Sequence, residues 1–197
     1  LVRSRGLGDV YKRQGYDVGG FAGEASKSLF ARWMSIGAFA PFYRAHSMIN
    51  SNDAEPWAFG EETEEISRNY MRLRYRLLPT IYSKFYKSSL SGLPLAESLA
   101  VHFAHDPAIY QSAFQNEYLF CDALLIAPVE STKDITKVYL PTGEWYYLYS
   151  DQKHQGHQII YQDCPLSHLP VYVRGGQLLT MQSDCLLYTS PSPRDRT

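Results

Sequence analysis

The chain has 197 residues, of which 45% are hydrophobic, 14% aromatic and 20% charged, and its formal net charge is −1. No apolar run approaches the roughly 18 residues of a membrane-spanning helix. Its cysteines form no ligand-spaced cluster with histidine, so the sequence calls for no disulfide framework, metal site or cofactor.

The two ends mirror each other as nucleotide sequence. Asp9 to Gln14, written gat gtg tat aag aga cag, reads on the opposite strand and one base out of frame as Cys185 to Ser190. The same operation relates Ser4 to Gly8 with Pro191 to Asp195. Residues 1–14 and 185–197 therefore resemble translated sequencing-adapter DNA and are set aside as scars. Residues 15–184 then hold 13 basic and 18 acidic residues, a formal net charge of −5, which argues against a nucleic-acid partner. At 170 residues this piece suits two parts of a larger protein better than one complete domain.

The first element is Tyr16 to Phe21, where a carboxylate precedes two glycines. Such a segment turns sharply at the end of a strand and presents an aromatic face. From Ala25 to Phe39, Leu29, Trp33, Ile36 and Phe39 recur at helical spacing, with Gly37 as a stop signal. Pro41 to His46 follows as a short strand, in which Arg44 and His46 point to one side because strand side chains alternate. A polar loop over 47–55 leads to Glu55-Pro56-Trp57.

Glu61 to Ser91 is the longest helical segment, with Ile66, Tyr70, Leu73, Leu77, Ile81 and Phe85 three or four residues apart. Its acidic start complements the helix dipole, Gly92 is its stop, and Pro79 divides it into two segments in line. Beyond Pro94 the chain becomes β-rich over 118–129, 137–140, 145–149, 158–162 and 169–173. Pro141 to Glu144 reads as a hairpin turn and Arg174-Gly175-Gly176 as another turn. The second half reads as an antiparallel sandwich, with a boundary near residue 93.

Several residues carry two readings at this point. Asp17 on its glycine turn is either a general base or nucleophile, or a turn aspartate bonding its own backbone. Arg44 and His46 either clamp a polar substrate or fill the core. Glu55-Pro56-Trp57 reads as a loop anchor and Trp145 to Tyr149 as a half-buried strand, against the alternative of sugar-stacking surfaces.

Taken in order, Asp17-Val18-Gly19-Gly20-Phe21, Arg32-Trp33, Gly37-Ala38-Phe39, Pro41-Phe42, Arg44, His46, Glu55-Pro56-Trp57 and Leu73 to Pro79 resemble glycoside hydrolase family 31. Asp122 to Val129 and Tyr139 to Trp145 extend the resemblance over nearly all of 15–184. It implies an α/β fold class: the C-terminal portion of a (β/α)8 barrel over 15–93, then a proximal antiparallel β-sandwich over 94–184. It also implies a retaining, exo-acting α-glycosidase acting on oligosaccharides, with α-glucosidase first, and α-transglucosylase and α-xylosidase as alternatives. His46 would hydrogen-bond sugar hydroxyls and Phe21 would line the same subsite, while Asp17 and Arg44 would orient them from behind. The family's nucleophile and acid/base aspartates would lie upstream of Gly15, so no catalytic residue is assigned here. The competing class is a non-catalytic carbohydrate-binding or structural sandwich, using Trp145 to Tyr149.

Overall fold

A computed structural model describes residues 15–49, 51 and 53–183. The two segments read as adapter-derived lie outside the described residues. Strand β1 (Gly15–Val18) is followed by helix α1 (Lys27–Gly37) and strand β2 (Phe42–Ala45), and the two strands pair in parallel. A single 3-10 turn at Pro56–Phe59 leads into α2 (Glu61–Arg76) and α3 (Leu78–Ser91). These two helices meet where the sequence predicts, with Pro79 in the first turn of α3, where its missing amide proton costs nothing. Gly92 closes α3 in the left-handed conformation at φ 83°.

The remaining chain builds β3 (Ala96–Ser98), the short α4 (Ala100–Phe103), β4 (Tyr118–Phe120), β5 (Leu124–Ile126), β6 (Ile135–Leu140), β7 (Glu144–Tyr147), β8 (Lys153–Gln155), β9 (Gln158–Asp163) and β10 (Val171–Arg174). Six of these strands form one antiparallel sheet in the order β3-β4-β5-β10-β7-β8, and β6 pairs with β9 as a separate two-stranded layer. Alternation sends neighbouring residues to opposite faces of the large sheet. Leu119, Leu125 and Tyr172 pack with Val138, Leu140 and Trp145 toward the β6–β9 layer. Phe120, Leu124, Ile126 and Val171 face Ala31, Phe39, Ile66, Tyr70, Leu77 and Ile81 of the helical half. The boundary near 93 is therefore a change of secondary structure, and one core runs across it.

Three readings of the sequence are corrected by this packing. The segment Pro141 to Glu144 is a turn between two layers and not a hairpin, because β6 pairs with β9 while β7 pairs with β10 and β8. Gly143 adopts φ 128°, and Trp145 Nε1 donates to the Pro141 carbonyl at 2.7 Å, pulling the indole into the core. The buried residues of α1 are Phe30, Ala31, Arg32, Met34, Ser35 and Gly37; of the four spaced residues Phe39 is buried, Ile36 and Trp33 pack partly buried against two different clusters, and Leu29 stays 37% exposed. Helix α1 lies between two layers, so a single apolar stripe does not describe it. Trp57 is 68% exposed and anchors nothing among the described residues; Phe59 takes that part, stacked on Phe30 at 4.1 Å.

Arg32 is buried in α1 and holds the two halves together. Its two terminal nitrogens donate to the carbonyls of Pro165 (3.1 Å), His168 (3.1 Å), Lys133 (2.9 Å) and Cys164 (2.6 Å). Arg32→Met, which fills similar volume but leaves four carbonyls without their donors, is expected to lower stability by about 3 kcal/mol in urea denaturation. Arg32→Lys should recover little of that, because one ammonium cannot reproduce the planar fork.

Candidate functional site

The parallel pair places Asp17 opposite Arg44, and the two side chains meet. Asp17 Oδ1 accepts from Arg44 Nε at 3.1 Å and from its terminal nitrogen at 3.0 Å. The Arg44 side chain is 51% exposed, so in this chain the pair is worth less than about 1 kcal/mol. Its geometric effect is to lock the register at the ends of the strands.

Past those ends the chain turns at Gly19 and Gly20, with the Gly20 N–H donating to the Asp17 carbonyl at 2.9 Å. Gly19 is required twice over. It adopts φ +91°, and a Cβ there would lie 2.9 Å from the ring of Phe30. The Met48 N–H then donates to the Phe21 carbonyl at 2.8 Å, tying the loop after β1 to the loop after β2. The rings of Phe21 and His46 lie 5.7 Å apart and 33° from coplanar, with Phe21 52% exposed. The four residues singled out from the sequence thus form two adjoining pairs, one ionic and one aromatic. His46 sits one residue beyond β2, so it turns to Phe21 while Arg44 turns to Asp17.

Arg74 underlies this rim, and composition and spacing give no sign of it. It projects from α2 and donates to the carbonyls of Ala38, Ala40 and Pro41, the turn that delivers the chain into β2. Its guanidinium also lies 5.8 Å from the centre of the Tyr43 ring. The Tyr43 hydroxyl donates to the Met34 carbonyl at 3.0 Å, and burial pushes that phenol well above its ordinary range. In sequence Arg74 looks like any solvated helix arginine; only its place in the family-like run Leu73 to Pro79 marks it.

A second ionic group lies between α3 and the large sheet. Lys84 is 8% exposed and donates to Glu97 at 2.8 Å and to Asp122, while His102 Nε2 lies 2.5 Å from the other oxygen of Glu97. Glu97, His102 and Asp122 place their ligand-type atoms within 4.8 Å of one another. The ammonium of Lys84 supplies the positive charge there. Burial opposes that charge, but the two carboxylates outweigh it and raise the Lys84 pKa.

The sandwich half also buries Glu117 at 6% exposure. Its Oε1 accepts the Tyr139 N–H at 2.9 Å, and its Oε2 has no hydrogen-bond partner. Burial pushes this carboxyl up to about 8.

Residues 11–84 match the TIM-barrel domain of glycosyl hydrolases family 31, and residues 92–179 match the C-terminal domain of the same family. The neutral alpha-glucosidase AB of Sus scrofa is 37% identical over 181 residues, a match covering 87% of this chain and 19% of that protein. A Flavobacterium johnsoniae family 31 dextranase solved with isomaltotriose superposes with a TM-score of 0.79 at 34% identity, covering 85% of this chain and 21% of the other. The cycloalternan-forming enzyme of Listeria monocytogenes, solved with a pentasaccharide substrate, gives 0.80 at 27% identity, covering 85% and 17%. The chain spans about a fifth of the length of the relatives it matches.

The parallel strand, helix, strand unit and the antiparallel sheet domain, joined through one core, coincide with these two matched domains. The chain belongs to glycoside hydrolase family 31.

Two predictions follow from this geometry. Gly19→Ala should destabilise the chain by about 2 kcal/mol through backbone strain and the clash with Phe30, and should disperse the ring-current shifts of Phe21 and His46 in NMR spectra. Glu117 has a folded pKa above its unfolded value, so between about 4.5 and 8 the folded state binds more protons than the unfolded one. Stability from this group should therefore fall as pH rises through that window and level off above it. In Glu117→Gln this slope should vanish from denaturation midpoints measured across the range.

Proposed function

We propose that the chain is the C-terminal part of the (β/α)8 catalytic barrel, residues 15–93, and the proximal β-sandwich, residues 94–184, of a retaining exo-acting α-glycosidase. α-Glucosidase is the first choice of activity. The observation that carries this reading is the Phe21–His46 ring pair, positioned past the C-terminal ends of a parallel strand pair and backed by the Asp17–Arg44 bridge. In barrel enzymes of this kind, substrate is bound at that end of the strands.

His46 then serves as a hydrogen-bonding partner for hydroxyls of the sugar being cleaved, and Phe21 packs its ring against the apolar face of that sugar. Asp17 and Arg44 orient the loops that carry them. Retention of configuration requires two carboxylates about 5 to 5.5 Å apart across the glycosidic bond, one attacking the anomeric carbon and one carrying the proton. Asp17, paired with Arg44, is given the supporting part, and the two carboxylates are assigned to the parent protein upstream of Gly15, as the family resemblance implies.

Transglycosylation is the second reading, supported by the likeness to the cycloalternan-forming enzyme. It differs only in the acceptor that releases the glycosyl-enzyme, and product analysis separates the two. A sugar-binding strip at Trp145 to Tyr149 has less support, because Trp145 and Tyr147 are buried in the core.

In the full-length parent, His46→Ala should lower kcat/KM for aryl α-glucosides by about 100-fold, the effect of removing one aimed hydrogen-bonding group. Phe21→Ala should act mainly through KM. The 197-residue chain alone should give no turnover. Turnover by it that disappears in Asp17→Asn would overturn the supporting part given to Asp17.

A further inference from the structure

Residues 38–41 carry the chain from α1 into β2, and all four are buried. Buried main-chain carbonyls need donors, and a turn between a helix and a strand has few of its own. Here side chains from two other parts of the molecule supply all four. Arg74 of α2 donates to the carbonyl of Ala38 at 2.9 Å, to that of Ala40, and to that of Pro41 at 3.1 Å. The remaining carbonyl, that of Phe39, accepts from the Tyr118 hydroxyl at 3.1 Å, and Tyr118 opens β4 of the sheet domain. Because the Ala38 carbonyl stands at the C-terminal end of α1, the Arg74 charge also meets the negative end of that helix.

We propose that Arg74 and Tyr118 are positioning residues for the Phe21–His46 rim, acting through this turn and not on the sugar, a role that rests on that rim binding sugar. The clamp grips the root of β2, and His46 follows the last residue of that strand. An extended strand paired to its neighbour passes a displacement of its root on to its far end. None of the four bonds is to β1, which leads to Phe21, so slack in the turn changes the separation of the two rings. Arg74 reaches three carbonyls with two nitrogens of a planar fork, which a single ammonium does not reproduce. A misplaced hydrogen-bonding group weakens the transition state more than the bound sugar, so the loss falls on kcat.

The test combines kinetics of the full-length parent with NMR of the 197-residue chain. Tyr118→Phe, which removes the hydroxyl and keeps the ring, should lower kcat for an aryl α-glucoside by about threefold, and Arg74→Lys by about tenfold, with KM changed by less than about twofold. In the chain, both variants should move the ring-proton shifts of His46. Tyr139→Phe loses a hydroxyl bond of the same kind, to Asp106 at 2.6 Å within the sheet domain, and should leave kcat, KM and the His46 ring as they are. If Arg74→Lys does not fold, Tyr118→Phe decides the matter. A moved ring together with a lowered kcat bears the proposal out. An unmoved ring overturns it, as does an unchanged kcat in a parent whose kcat/KM falls in His46→Ala, or a fall in kcat that Tyr139→Phe shares. If His46→Ala leaves kcat/KM intact, the sugar-binding reading of the rim fails by itself, and the His46 ring shifts alone decide whether the clamp positions it.

Discussion

A guanidinium withdrawn from water must replace the hydrogen bonds it loses, or the fold that buries it is penalised by several kcal/mol. Arg32 satisfies this with main-chain carbonyls from two separate stretches of the sheet domain, at 133 and at 164–168. Those carbonyls belong to loops, where no strand ladder is available to them. The arginine and the loops therefore each solve the other's problem, and neither half of the chain can be satisfied in the same way without its neighbour. Its Nε–H is left without a partner, so four of the five guanidinium N–H groups are engaged and one is not.

The large sheet is constrained in the same sense. At its centre both faces are covered, one by the β6–β9 layer and the other by α1, α2 and α3, which is why Leu119 to Ala127 is buried without a break apart from Asp122. The chain passes from β4 to β5 through Cys121 and Asp122, both at positive φ, 54° and 63°. These are uncommon conformations for residues other than glycine, and the surroundings hold them: the Cys121 N–H donates to the Leu95 carbonyl at 2.8 Å and Asp122 accepts from Lys84. The Lys84 network thus fixes a strained connection, which accounts for a buried charge group at a place where no substrate is proposed to bind.

How much of this is legible in the sequence depends on whether the determining contacts are local. The break at Pro79, the stop at Gly92 and the turns at Gly19 and Gly175 follow from properties of single residues, and the sequence announces them. The division of α1 does not, because Ala31 faces the shared core while Phe30 and Met34 pack beneath the β1–β2 pair, and a stripe model assumes one partner. The Pro141 to Glu144 turn is misread for a related reason: the residues specify a reversal, whereas the strand that receives the chain is chosen by contacts with β9 and β10 far along the sequence. Strands β3 and β8, three residues each, are too short to show alternation. At the site, Asp17, Phe21, Arg44 and His46 are legible as a group through the family-like motifs, while Arg74 and Glu117 are defined by what surrounds them.

The support of the barrel rim can be followed step by step into the sheet domain. Tyr70 of α2 accepts the Leu169 N–H at 2.7 Å and lies 3.0 Å from the Tyr149 hydroxyl, so the helix is fastened to the sandwich half by its most buried tyrosine. One turn further along the same helix, Arg74 grips the carbonyls of residues 38 to 41. That turn sets where β2 begins, β2 sets where Arg44 meets Asp17, and the strand ends set where His46 meets Phe21. Two residues on loops can hold a defined geometry only if the loops' roots do not move. Here the roots are fixed through a helix that packs on α1 and is fastened to the sheet domain at Tyr70. The sheet domain therefore does more than follow the helical half in sequence: by fastening α2 it helps to hold the roots of the loops that carry Phe21 and His46.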